Sequence, residues 1–345
     1  MSTEIYRCTP RQIRKYVCEC LEAGLVPYVQ SSPGMGKSSI MRGIADEFGL
    51  AMIDHRLSTS APEDLSGLPT FDAKGFAKFA PFADLFPLKD TPVPRGKHGW
   101  MLFLDEFNAA SKSVAAAAYK LILDRMVGQH HLHPNVVMTA AGNLSTDRAI
   151  TNPLSTAMQS RLVHLEMTVS FEEWLYDVAL PQGYDSRIIA FLSQYNSKLM
   201  DFRPEHQEKT FCCPRTWEFT NRLIKNKEVS DHSAPLLAGT ITSGVAVEFV
   251  QFTKVYNEMI SLRDILGDPS GCRLPGDTSL KWVTIAHMME KVDQSNFGDL
   301  CTYANRFSLD FRILFYRSTL IRNPDLRQHP SFAKAMSELS RYLAG

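Results

Sequence analysis

Short apolar runs alternate with stretches of helical spacing along the first half of the chain. Ile13, Tyr16, Val17, Cys20 and Leu21 fall on one face of a helix that opens at Thr9-Pro10 and ends near Gly24, because Thr caps free N–H groups and Pro suits the first helical position. A strand follows over residues 25–30, then a loop over 31–36, a helix over 37–48 and a strand over 51–57. Further strands are predicted at 100–104, 135–141 and 162–167, separated by helical stretches such as 111–123. Strands alternating with helices build a parallel sheet. The fold class predicted for residues 1–169 is therefore α/β with a five-stranded parallel sheet.

From residue 170 the spacing turns helical, with predicted helices at 171–178, 186–199, 214–224 and 234–262. This sets a second, helical domain at 170–265. Residues 267–277, rich in Gly, Pro and Asp, read as a loop into a helical C-terminal extension, 266–345. Two segments interrupt the α/β pattern. Residues 70–72 and 76–79 read as a hairpin turning at Gly75. Residues 81–99, with several Pro and the basic Lys89, Arg95 and Lys97, read as a surface loop.

The 345 residues suffice for more than one core. Lys plus Arg equals Asp plus Glu at 37 each, so no global positive field is present to hold nucleic acid through its phosphates. The seven Cys form no CxxC pair and are expected to be reduced, mostly buried thiols. No apolar run reaches the length of a membrane span and no basic-apolar leader opens the chain, so a soluble, cytoplasmic protein is expected. His130, His131 and His133 have no third ligand at a fixed spacing and read as a solvated loop rather than a zinc site.

The chemistry concentrates at the ends of predicted strands. Ser31-Ser32-Pro33-Gly34-Met35-Gly36-Lys37-Ser38 lies between a strand and a helix, the context a phosphate-binding loop requires. Backbone N–H groups there face phosphates, Lys37 adds a point charge and Ser38 offers a hydroxyl to Mg²⁺. Ser39 extends the binding segment into the helix. Ser31 stands where the general pattern has its first Gly. The run Met101-Leu102-Phe103-Leu104 ends in Asp105-Glu106. Asp105 there suits Mg²⁺ and Glu106 suits a general base on water. Asn143, after the strand at 135–141, offers an amide to the water or the terminal phosphate. Arg161, just before the last strand, offers a guanidinium to a neighbouring subunit. Arg125, Arg148 and Arg203 are further guanidinium candidates, with Arg148 next after Arg161.

Taken in order, Pro33 to Ser38, Leu104-Asp105-Glu106, Ala141-Gly142-Asn143, Ser160-Arg161 and Pro214-Arg215-Thr216-Trp217 resemble the AAA+ ATPases. Arg56-Leu57-Ser58, Asp64 to Pro69 and Leu123 to Gly128 narrow the resemblance to the MoxR group. It covers about residues 10–250. The resemblance implies ATP and Mg²⁺ as cofactors, an AAA+ core followed by an all-α lid, and a hairpin insert within helix 2 near residues 70–80. It also implies that Lys37 and Ser38 are Walker A, Asp105 and Glu106 Walker B, Asn143 sensor 1, Arg161 the arginine finger and Arg215 sensor 2. Partners implied are copies of the chain in a ring, usually a hexamer, and a client protein, often one with a von Willebrand factor A domain.

The function expected is thus ATP hydrolysis coupled to remodelling or activating a partner protein. Two other classes compete: a nucleic-acid-directed motor or loader, disfavoured by the balanced charge, and an ATP-dependent scaffold or switch with little turnover. Glu106 and Arg161 together speak against the switch, since a nucleotide sensor needs no general base.

Overall fold

In chain order the first half runs β1 (Arg7–Cys8), α1 (Pro10–Glu22), β2 (Val26–Gln30), α2 (Lys37–Glu47), β3 (Leu50–Arg56), α3 (Pro62–Ser66), β4 (Leu68–Phe71), β5 (Ala77–Ala80), β6 (Gly99–Asp105), α4 (Lys112–Asp124), β7 (Met126–Val127), β8 (His130–His131), β9 (Val136–Gly142), α5 (Thr156–Gln159) and β10 (Leu162–Met167). The structure is a computed structural model and describes residues 7–147, 151–256 and 259–343. The chain divides into two compact units, Met1–Ser170 and Phe171–Gly345.

The main sheet has the order β1-β10-β2-β9-β6-β3, and every pairing in it is parallel. It carries six strands, not the five expected. The extra edge strand, β1, is two residues long, too short to show any periodicity. Only pairing with β10, reinforced by the Arg7–Glu166 ion pair at 3.2 Å, makes it a strand.

Alternation along the strands explains the layers. Met101 and Phe103 of β6 pack with Ile13 and Val17 of α1 and Met41 and Ile44 of α2. Leu102 and Leu104 face the opposite way, onto Val114, Ala118 and Leu121 of α4. Each residue of β6 up to Leu104 is buried, as expected of a strand covered on both faces. Helix α1 starts with the reciprocal cap that Thr9-Pro10 predicts: Gln12 N–H donates to Thr9 Oγ1 and Thr9 N–H donates to Gln12 Oε1 at 2.9 Å.

Strands β4 and β5 form the expected antiparallel hairpin. Asp72 Oδ1 accepts from Lys74 N–H and Phe76 N–H, and Gly75 takes φ 83° in the turn, a conformation that glycine adopts without strain. The hairpin leaves Phe71 and Phe76 exposed at 74% and 68%. The segment 81–99 is more than a surface loop, since Phe86 is buried in the core. His130 and His131 pair with Met126 and Val127 at the surface, and His133 packs edge-on against Trp100.

The second unit is helical: α6 (Phe171–Trp174), α7 (Ser186–Gln194), α8 (Pro214–Ile224), α9 (Ala234–Ile241), α10 (Ser243–Tyr256), α11 (Leu262–Gly267), α12 (Thr278–Lys291), α13 (Phe297–Ala304), α14 (Leu309–Arg322) and α15 (Pro330–Leu343). The helix expected over 234–262 is broken at Thr242, whose φ of 75° cannot continue a right-handed helix. Helices on both sides of residue 265 fill one core, in which Phe191 and Phe249 share a cluster with Val283, Phe297 and Phe315. The cysteines form no disulfide, and burial pushes the thiols of Cys212 and Cys301 up to about 12. Among the described residues, no helix is long and apolar enough to cross a membrane.

Candidate active site

Strand order decides where the site forms. From β2 the chain crosses to the far edge at β3, returns through β6 and β9, and passes to the other side of β2 at β10. The C-terminal ends of β2, β9 and β6 therefore lie side by side where the order reverses, the place at which open α/β sheets bind ligands.

The loop after β2 leads directly into α2. Gly34 and Gly36 take φ 78° and 90°, so both use left-handed backbone that L side chains rarely adopt. A Cβ at Gly36 would meet nothing within 4 Å, so the constraint there is conformational and the space beside the loop is open. Met35 packs on the core and Ser39 is exposed on the first turn of α2. Ser31, the departure from the usual Gly, is fully buried and needs no positive φ. Its hydroxyl donates to Ser32 O at 2.9 Å and accepts from Lys37 Nζ at 3.0 Å. The side chain thus joins the polar lining of the loop, which is how Ser is accommodated there.

Lys37 Nζ also donates to Ser31 O at 3.1 Å and Asn143 Oδ1 at 3.4 Å. Ser38 Oγ donates to Asp105 Oδ2 at 3.3 Å. The residues proposed for the phosphates and the metal thus meet across the ends of three strands. Their chemistry fits Mg-ATP: a cation beside an open glycine loop at a helix N-terminus, with a hydroxyl and a carboxylate in mutual reach.

Glu106 takes the left-handed φ of 52°, which turns the chain sharply after β6. Its N–H donates to Asp105 Oδ1 at 2.8 Å, and its Oε2 accepts from the Ser58 hydroxyl. Asp54 of β3 stands one strand over. Partial burial, then the Asp105 carboxylate, push the Asp54 carboxyl above its ordinary range. A cation held at Asp105 would offset that second cause and favour the charged form of Asp54.

Arg161 does not reach this cluster within its own chain. Its Nη1 donates to Ala157 O at 2.6 Å and Ser160 Oγ at 3.3 Å, and its guanidinium carbon lies 5.1 Å from the centre of the Tyr119 ring. Arg125 is committed within its own chain, its guanidinium donating to the Val136 carbonyl. Arg203 is largely exposed, with Asp201 Oδ1 at 3.9 Å, and Arg148 lies outside the described residues. Arg215 is exposed on the first turn of α8 in the second unit.

Sequence reasoning noted Ser58 only as part of a connecting segment and gave Ser58, Asp54 and Asn108 no place in the site. Asp54 lies within β3 and Ser58 in the short turn just after it, and only the pairing of β3 with β6 brings that end of the chain to the carboxylates. Asn108 is a lone amide between Phe107 and Ala109, and nothing local names its partner, Asn143.

No family model matches the chain, and no curated protein does. Solved structures align over most of its length. One is a Cytophaga hutchinsonii protein provisionally assigned as an ATPase, at 14% identity, covering 96% of this chain and 88% of that one with a TM-score of 0.37. Two are variants of Thermotoga maritima RuvB, each covering 96% of this chain and 94% of theirs, at 16% identity with a TM-score of 0.37 and 15% with 0.36. The functional reading rests on the residues of the site.

Proposed function

We propose that the chain is an ATP-hydrolysing subunit of the AAA+ type, MoxR-like in its connecting segments, acting in the cytoplasm as a homo-oligomeric, hexameric ring that remodels a client protein. The observation that carries this is the convergence of Lys37, Ser31, Asn143, Ser38 and Asp105 through direct hydrogen bonds at three adjacent strand ends.

In this reading Lys37 and the N–H groups of the 33–39 loop bind the phosphates, and Ser38 and Asp105 hold Mg²⁺. The metal, when bound, supplies neutralisation of phosphate charge. The Glu106 carboxylate takes a proton from the attacking water, Asn143 orients that water or the terminal phosphate, and Ser58 holds the carboxylate in place. Arg161 serves a neighbouring subunit, and Arg215 serves as sensor 2.

Lys37→Ala tests the reading directly. A neutral methyl cannot replace a cation facing roughly three to four phosphate charges, so calorimetry should find ATP binding lost. Unchanged affinity would overturn the loop assignment.

The exposed hairpin is proposed as the helix-2 insert that meets the client. Phe76 is 68% exposed and Phe79 42%, so changing both to Ala removes little packing. The cost should fall well short of the roughly 3 to 5 kcal/mol of a buried Phe. Basal ATP hydrolysis should persist while work on a client drops. A large fall in melting temperature accompanied by lost ATPase would instead show that the hairpin is structural.

A further inference from the structure

Asn108 lies two residues past Glu106, in the short turn Phe107–Ala109 that follows the left-handed Glu106. Its side chain is buried, at 6% exposure. Both ends of its amide are used on one residue: Nδ2 donates to Asn143 O at 2.8 Å and Oδ1 accepts from Asn143 N–H at 3.2 Å. The turn is itself pinned. Asn152 N–H donates to Asn108 O at 2.6 Å, and Asn152 Nδ2 donates to Ala110 O at 2.7 Å.

The clamp depends on a missing side chain. A Cβ at Gly142 would stand 2.4 Å from both Asn108 Oδ1 and the Tyr28 hydroxyl, so the amide reaches Asn143 only because residue 142 is Gly. An amide matched to both the carbonyl and the N–H of one residue fixes that residue in position and in rotation. Here that residue carries the Oδ1 that accepts from Lys37 Nζ.

We propose that Asn108 is a positioning residue for ATP hydrolysis. It locks the backbone of Asn143, so that the Asn143 side chain keeps its place beside Lys37, and it ties that place to the turn presenting Glu106. The proposal rests on the ATPase reading above. Asn108 acts through Asn143, the residue its amide holds.

Asn108→Asp is the first test, because it keeps the volume and the acceptor but places an oxygen where Nδ2 donates. Its kcat should fall about 100-fold, the scale for displacing a catalytic group by about an ångström, with ATP affinity by calorimetry unchanged. In the nucleotide-free protein, hydrogen exchange at the Asn143 amide should rise while the amides of β9 stay protected. The double variant Asn108→Asp with Asn143→Ala should hydrolyse no more slowly than Asn143→Ala alone, since both changes act on one group. If Asn108→Asp fails to fold, Asn108→Ser carries the same comparison. A joint loss of affinity, turnover and melting temperature, or multiplied losses in the double variant, would assign Asn108 a purely structural role. The wild type separates the two levels. A wild type without ATP hydrolysis defeats the ATPase assignment and this proposal with it. A hydrolysing wild type whose Asn108→Asp form keeps full kcat defeats the positioning role alone.

Discussion

Glu106→Gln is expected to bind ATP and assemble normally while turning over roughly two to four orders of magnitude more slowly, the scale for losing a general base. The substitution is nearly silent for the fold. Gln keeps the shape of Glu, its amide oxygen can still accept from Ser58 as Glu106 Oε2 does, and it meets no new strain at φ 52° beyond that of Glu. What it loses is the charge that attracts a proton from water. Steady-state phosphate release set against calorimetric ATP binding checks this. Near-normal turnover would move the base elsewhere, and Asp54, whose carboxyl is already raised by its surroundings, would be the next residue to change.

Arg161→Ala is expected to lower turnover by about 10³ to 10⁵, the range for a guanidinium supplied to phosphoryl transfer, again with ATP binding intact. Within its own chain Arg161 rests on Ala157 O and the Tyr119 ring. Releasing it forfeits the hydrogen bond to Ala157 O and a cation–π contact, each worth on the order of 1 kcal/mol, so the variant should stay folded. The expected action is in trans. Mixed rings of Arg161→Ala and Glu106→Gln subunits contain interfaces where an intact Glu106 faces an intact Arg161, and these should recover part of the activity. If native mass spectrometry verifies mixed rings without recovery, wild type diluted with the double variant decides the cause. A loss steeper than proportional indicates silencing by dead neighbours, whereas a proportional loss removes the trans role and promotes Arg148.

The α/β alternation, the capped first helix, the loop-to-helix step at Lys37 and the carboxylates at the end of an apolar strand were all readable along the chain. Each is written in local terms: a period of two or of helical spacing, a cap, a glycine at a turn. The same locality explains the errors. Strand β1 has two residues, too few for any period, and exists through its partner β10. The break at Thr242 interrupts an apolar stretch that reads as one helix, because helical spacing does not report a single residue at φ 75°. The buried Phe86 was hidden in a segment dominated by Pro and basic residues.

The candidate site divides in the same way. Sequence by itself named the side chains proposed for phosphate, metal and proton chemistry, because a glycine loop before a helix and paired carboxylates after a buried strand are patterns within a few residues. Tertiary structure decided how they meet. Strand order brings β2, β9 and β6 together, which sets Lys37 against Asn143 and Ser38 against Asp105 across separations of 106 and 67 residues. It also recruits Ser58 and Asn108, whose hydrogen-bond partners lie 48 and 35 residues away. A hydrogen bond depends on distance and angle in space, and only the packed sheet supplies those.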